Sequence, residues 1–166
     1  AGEPPLAPLY DAHDVESIMS RFRTVAYAEP VPVAPGMQAR FVEAGHLLGS
    51  ASIELRIEHA KGRRTLVFSG DLGPKDAPLM KEPAGFNHAD VVVMESTYGN
   101  RNHRPIQETC QEFFELVEHA VERKGKILVP SFAVGRAQLL LYLLAMMFRQ
   151  RKVPKFPVFI DSPMAI

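Results

Sequence analysis

Apolar residues recur with two different periods along the 166-residue chain. Near its start Val15, Ile18, Met19 and Phe22 fall at i, i+3, i+4 and i+7, the spacing of one helix face. Asp11 is a suitable N-cap, and Asp14 three residues on completes the start signal. Before this helix, residues 1–9 are proline-bearing and aperiodic, which predicts an extended entry segment. Between Thr24 and Glu43, Pro30, Pro32 and Pro35-Gly36 divide the chain into short strands, and Met37 to Val42 is an extended run leading into the Gly45-His46 turn. Ser52 to Glu58 alternates, with Ile53, Leu55 and Ile57 on one side and Glu54, Arg56 and Glu58 on the other. Such alternation predicts an antiparallel strand buried on its apolar face. Lys61-Gly62 turns the chain, and Thr65 to Phe68 returns as a second strand. A proline-bearing loop follows from Gly73 to Asn87, and Asp90 to Met94 predicts another buried strand.

The period changes after the polar, basic stretch that holds Arg101, His103 and Arg104. Ile106, Cys110, Phe113, Phe114, Val117 and Val121 mark a helix face that Gly125 ends. Lys126 to Val129 predicts a strand, residues 135–150 a helix buried nearly all round, and Phe156 to Ile160 the next strand. Strand and helix in alternation imply a parallel sheet with helices packed on it. The fold class is therefore α/β, with a domain boundary at residues 102/103.

Composition narrows this little. Apolar content of 46% and charged content of 23% suit a globular protein, and 19 basic residues balance 19 acidic ones, so any binding of a polyanion must be local. One cysteine, Cys110, excludes an internal disulfide; on the helix stripe it is expected as a small buried apolar group. The first residues lack the basic start and apolar core of a signal peptide. The longest apolar run, Leu139 to Phe148, is far short of the roughly 20 residues of a spanning helix. A cytoplasmic location without membrane association is expected. The non-Met start and the apolar run ending at Ile166 suggest an internal piece of a longer protein, whose exposed sheet edges favour association between copies.

The candidate chemistry lies where strand-like runs end. Gly45-His46-Leu47-Leu48-Gly49-Ser50 carries a histidine, Ser69-Gly70-Asp71-Leu72-Gly73 an aspartate and Glu95-Ser96-Thr97-Tyr98-Gly99 a glutamate. Rigid strands delivering nitrogen and oxygen donors to neighbouring turns are what a metal site requires. Each residue also has a plainer reading: His46 as a structural turn histidine, Asp71 and Glu95 as acceptors of backbone N–H groups. His13 and His59 are expected on the surface.

These motifs, together with Pro130-Ser131-Phe132-Ala133-Val134-Gly135-Arg136 and Asp161-Ser162-Pro163-Met164-Ala165 further on, resemble in order those of the β-CASP nucleases of the metallo-β-lactamase superfamily. The resemblance extends to the opening segment, Pro8-Leu9-Tyr10 followed by Asp14-Val15-Glu16 and Arg21-Phe22. It implies part of an αββα metallo-β-lactamase sandwich over residues 1–102 and the first part of a β-CASP βαβ domain over 103–166. It implies a zinc-dependent ribonuclease, with two zinc ions and RNA or single-stranded DNA as partner. His46 then matches a zinc ligand, Asp71 a catalytic carboxylate bridging both ions, and Glu95 the acidic residue that orients a proton-donating histidine. Ser131, Gly135 and Arg136 stand where a strand feeds a helix, a place suited to a phosphate, although a cap and a surface arginine explain the same residues. The His-x-His-x-Asp-His cluster of the family is absent: none of the six histidines has that spacing. With two ligands rather than three or four, the chain alone is expected to bind zinc weakly and to be inactive. Two other readings stay open: a non-catalytic β-CASP-like subunit binding RNA or protein, and a metallo-hydrolase of small esters.

Overall fold

The structure, a computed structural model, describes residues 8–165. Most of the expected extended entry therefore lies outside the described residues. Helix α1 runs from Ala12 to Met19. Asp11 caps it as the spacing predicts, its carboxylate accepting from the N–H groups of His13 and Asp14 while Asp14 accepts from the N–H of Asp11. The apolar stripe of α1 stays exposed, with no buried residue in the helix. Capping rather than burial defines its start.

One five-stranded sheet follows, in the order β1 (Pro30–Ala34), β2 (Met37–Glu43), β3 (Ala51–His59), β4 (Gly62–Phe68) and β5 (Val91–Val93). The first three pairings are antiparallel and the β4–β5 pairing is parallel. Short turns can join only antiparallel neighbours, so the long 69–90 connection is what allows β5 to run alongside β4.

The alternation in β3 is correct, but the burial expected from it is reversed. By register, Arg40, Val42, Ser52, Glu54, Arg56, Thr65 and Val67 share one face. Val42, Ser52, Glu54, Thr65 and Val67 are all buried, whereas Ile53, Leu55 and Ile57 on the opposite face are only half-buried. Glu54 is tolerated because two cations meet it: Arg40 binds it in fork geometry at 2.7 and 3.2 Å, and Arg56 approaches to 2.7 Å. The 73–90 segment closes over this face. Phe86 lies 5.7 Å from the Arg40 guanidinium carbon, and the Ala84 N–H donates to the Glu43 carbonyl.

Two expectations for β5 need correction. The strand is shorter than residues 90–94, and Val91, Val92 and Val93 are about half exposed instead of buried. It pairs with β4 alone, so one edge is open, and no described element covers it. Asp90 anchors its start by accepting from the Thr65 N–H and from Arg64.

Beyond β5 the helices form as predicted: α2 spans Ile106–Glu122 and α3 spans Arg136–Arg149. They share a small second core of Val117, Met147 and Val153, with Phe113, Phe114, Val121, Leu144, Phe148 and Phe156 around it. Phe148 and Phe156 meet edge to face at 5.1 Å. α3 is less enclosed than expected, since only Leu143 and Met147 are fully buried, and Cys110 is half-buried. The left-handed residue that ends α2 is Lys124 (φ 53°), not Gly125, whose N–H reaches back to the Ala120 carbonyl.

The strands expected over residues 126–129 and 156–160 are not formed. Both segments are unpaired, and Leu128 and Phe159 are about nine-tenths exposed. A strand needs a neighbour to take its N–H and C=O groups, and no described segment pairs with either one. The parallel βαβ sheet expected in this half is thus absent among the described residues, and the mixed α/β character rests on the five-stranded sheet and the two helices. No described helix is long and apolar enough to cross a membrane.

Candidate functional site

His46, Asp71 and Glu95 arise from three separate connections, after β2, β4 and β5 in turn. The first loop closes on Ser50, whose hydroxyl accepts from the N–H groups of His46 and Leu47. Glu43 accepts from the Gly45 N–H, and Gly45 takes φ 69°, the left-handed region that a β-carbon disfavours. Tyr27 donates its hydroxyl proton to the Ser50 carbonyl; partial burial, then Glu43, pushes the Tyr27 pKa up. The histidine is therefore presented by a turn tied at both ends.

The second loop is locked onto the first through backbone. The Gly73 N–H donates to the Ala44 carbonyl at 2.8 Å. A β-carbon on Gly73 would overlap the Gly45 carbonyl and crowd the His46 nitrogen, so only glycine permits this approach. The third connection joins the second through Ser69 and Glu95. The Ser69 hydroxyl accepts from the Glu95 N–H and donates to the Gly70 carbonyl, and the Glu95 carboxylate accepts from the Leu72 N–H at 2.7 Å. Beneath them the buried Ser52 hydroxyl donates to the Ser69 carbonyl.

The three side chains are thereby gathered at one end of the sheet. His46 Nε2 lies 3.8 Å from Asp71 Oδ2, and both side chains are open to solvent. The Leu72 N–H first, and then Thr97, hold the Glu95 carboxyl below its ordinary pKa. The His46–Asp71 spacing lies within the about 4.2 Å that two donors on one zinc ion can span, and imidazole with carboxylate is a donor pair zinc accepts. The chemistry of the pair fits, but the set is incomplete. Among the described residues no group of three or more His, Cys, Asp or Glu side chains could hold one ion.

The residues expected to meet a phosphate lie close by. Gly135 is the N-cap of α3 at φ 86°, without a side-chain cap, which leaves the first N–H groups of the helix free of side-chain acceptors. A β-carbon on Gly135 would fall 2.7 Å from Leu47 Cδ2, so the start of α3 abuts the turn bearing His46. Arg136 is exposed, with its guanidinium carbon 5.7 Å from the Phe132 ring, and Ser131 is exposed beside them. His13 and His59 are exposed, as expected.

Sequence reasoning missed Ser50, Ser69 and Gly73, which position the three side chains without carrying their chemistry. Ser50, four residues after His46, had the spacing of a local turn acceptor. Gly73 gave no local signal, because its constraint comes from a loop remote in sequence.

No protein-family model matches the chain. Individual proteins do. The chain is 40% identical over 158 residues to ribonuclease TTHA0252 of Thermus thermophilus, covering 95% of this chain and 35% of that protein. It is 29% identical over 160 residues to an RNase J-like protein of Methanocaldococcus jannaschii, covering 95% of this chain and 37% of the relative. It is 32% identical over 159 residues to the transcription termination factor FttA of Pyrococcus horikoshii, covering 93% of this chain and 24% of that factor. The chain thus spans between about a quarter and a little over a third of these relatives. With its motifs in the family's order along nearly all of its length, the chain belongs to the β-CASP RNA-processing nuclease family of the metallo-β-lactamase superfamily.

Proposed function

We propose that this chain supplies part of a zinc-dependent phosphodiesterase site that hydrolyses RNA. In this reading residues 1–102 belong to the metallo-β-lactamase core and 103–166 to the β-CASP domain. The observation that carries it is the convergence of His46, Asp71 and Glu95 on three loops hydrogen-bonded to one another. His46 and Asp71 would hold zinc. Zinc bound there would make a water acidic enough to attack at neutral pH and would offset charge on the phosphate oxygens. Glu95, kept ionised by the Leu72 and Thr97 donors, suits the role of carboxylate partner to a histidine that returns a proton to the leaving oxygen. Ser131, the first N–H groups of α3 and Arg136 would hold an RNA phosphate against the His46 turn. The names of the relatives, a ribonuclease among them, support an RNA substrate.

The test is made on the full-length protein that contains this chain. His46→Ala and Asp71→Ala should each lower zinc content and reduce RNA cleavage by at least about a hundredfold. Arg136→Ala should weaken RNA binding while leaving zinc content unchanged. Cleavage that persists in both zinc-site variants and survives chelation would overturn the proposal. The isolated chain, with two donors, should bind zinc weakly and cleave nothing; tight stoichiometric zinc would contradict the donor assignment.

A further inference from the structure

Immediately beyond Glu95 the chain builds a small exposed stack. The turn is closed by the Gly99 N–H donating to the Ser96 carbonyl and the Arg101 N–H donating to the Tyr98 carbonyl. It brings the Tyr98 and His103 rings to a centroid separation of 4.1 Å, tilted by 54°, and sets the Arg101 guanidinium carbon 4.8 Å from the Tyr98 ring centre. Tyr98 is 46% exposed, and Arg101 and His103 are exposed as well. A ring buried for stability would be covered by the core. This one stays half open to solvent, flanked by a cation and another ring.

The charges are arranged unevenly. Residues 96–107 include no acidic side chain. Arg104 is neutralised by Glu112 at 2.6 Å, whereas Arg101 has no acidic partner among the described residues and rests on Tyr98. An unneutralised guanidinium beside an open aromatic ring offers a π-face and a cation together. Unpaired bases use this pair of features, stacking on the ring while the cation faces the phosphate. Tyr98 follows Glu95 by three residues in the same connection after β5, so the stack stands at the rim of the site.

We propose that Tyr98, Arg101 and His103 form a stacking subsite for one unpaired base of single-stranded RNA, next to the loops carrying His46, Asp71 and Glu95. This subsite rests on the nuclease reading and deepens it. The substrate it selects is single-stranded, because a base held in a duplex presents no free face to the ring. Stacking of this kind tolerates any base and favours purines for their larger surface.

The chain contains no tryptophan, so in the isolated chain Tyr98→Trp introduces a single indole reporter at the subsite. Titrating this variant with oligoadenylate should quench its fluorescence, while an abasic ribose-phosphate oligomer of equal length should not. In a parallel binding assay, Tyr98→Ala should weaken oligoadenylate about tenfold, leave the abasic oligomer unchanged and leave the urea midpoint unchanged. Oligoadenylate that binds without quenching the indole, or an equal loss of affinity for both ligands in Tyr98→Ala, would overturn the subsite while leaving the nuclease reading intact. A full-length protein that binds neither ligand would remove the nuclease reading, and the subsite with it.

Discussion

Replacing Gly73 by alanine tests the central geometric claim, that the His46 and Asp71 loops are held by direct backbone contact. The added β-carbon would overlap the Gly45 carbonyl and crowd the His46 nitrogen, all main-chain atoms. No rotamer change relieves this, so one loop must move by something of order 1 Å, a misplacement that can cost about a hundredfold in catalysis. Two terms set the stability cost. Overpacking against backbone costs about 1–3 kcal/mol, and the Gly73–Ala44 hydrogen bond it would lengthen contributes about 0.5–1.5 kcal/mol. The expected destabilisation is therefore about 2–4 kcal/mol, read as a lower urea midpoint by far-UV circular dichroism. Gly85→Ala is the control: nothing lies within 4 Å of its β-carbon position, so its stability should change by less than about 0.5 kcal/mol. In the full-length protein, Gly73→Ala should also lower zinc content although it removes no donor. If the two variants have equal midpoints, the loops are not locked as described and the convergence of His46 and Asp71 loses its cause.

The buried Glu54 carboxylate supports two further predictions. Glu54→Ala should destabilise by about 3–5 kcal/mol, since Arg40 and Arg56 would keep partly buried charge without a partner; a loss below 1 kcal/mol in the urea midpoint would show that the ion triad is unimportant. Arg40 first among its partners depresses the Glu54 pKa, and the Thr65 N–H first among its own depresses that of Asp90. A carboxyl depressed in the folded state contributes stability that is complete above its unfolded pKa, near about 4, and is lost as pH falls through the lower folded value. Stability limited by these groups should thus hold from neutrality to about pH 4.5 and decline below it, and Glu54→Gln should flatten that decline in urea midpoints taken across the range.

Local signals were the most legible in the sequence. The Asp11 capping box, the two long helices and the β2–β4 meander follow directly from cap residues and periodicity. The three turns carrying His46, Asp71 and Glu95 were visible as Gly/Ser-rich segments after apolar runs, and the structure gathers them. What pattern could not show is which face of β3 is covered. Hydrophobicity favoured Ile53, Leu55 and Ile57, but the Phe86 segment lies over the charged side because two arginines compensate Glu54. Nor could it show that residues 126–129 and 156–160 have no strand beside them, since pairing depends on a partner and not on the segment itself. Gly73 carries the same lesson at the site, its constraint being set by a loop almost thirty residues earlier.

The Arg40–Glu54–Arg56 triad has a consequence for error rather than for strength. The loop that presents His46 is the connection between β2 and β3, and its usable length depends on Glu43 pairing with Ala51. Sliding β3 by one residue would turn every one of its side chains to the opposite face, carrying Glu54 away from Arg40 and onto the face of β2 that presents Ala39 and Phe41. The apolar residues resist such a slip by losing their face, and the buried carboxylate adds the loss of both its cations. The triad works as a proofreading device: it makes each mispaired hairpin expensive, and it ensures that chains which fold hold the histidine loop at one length.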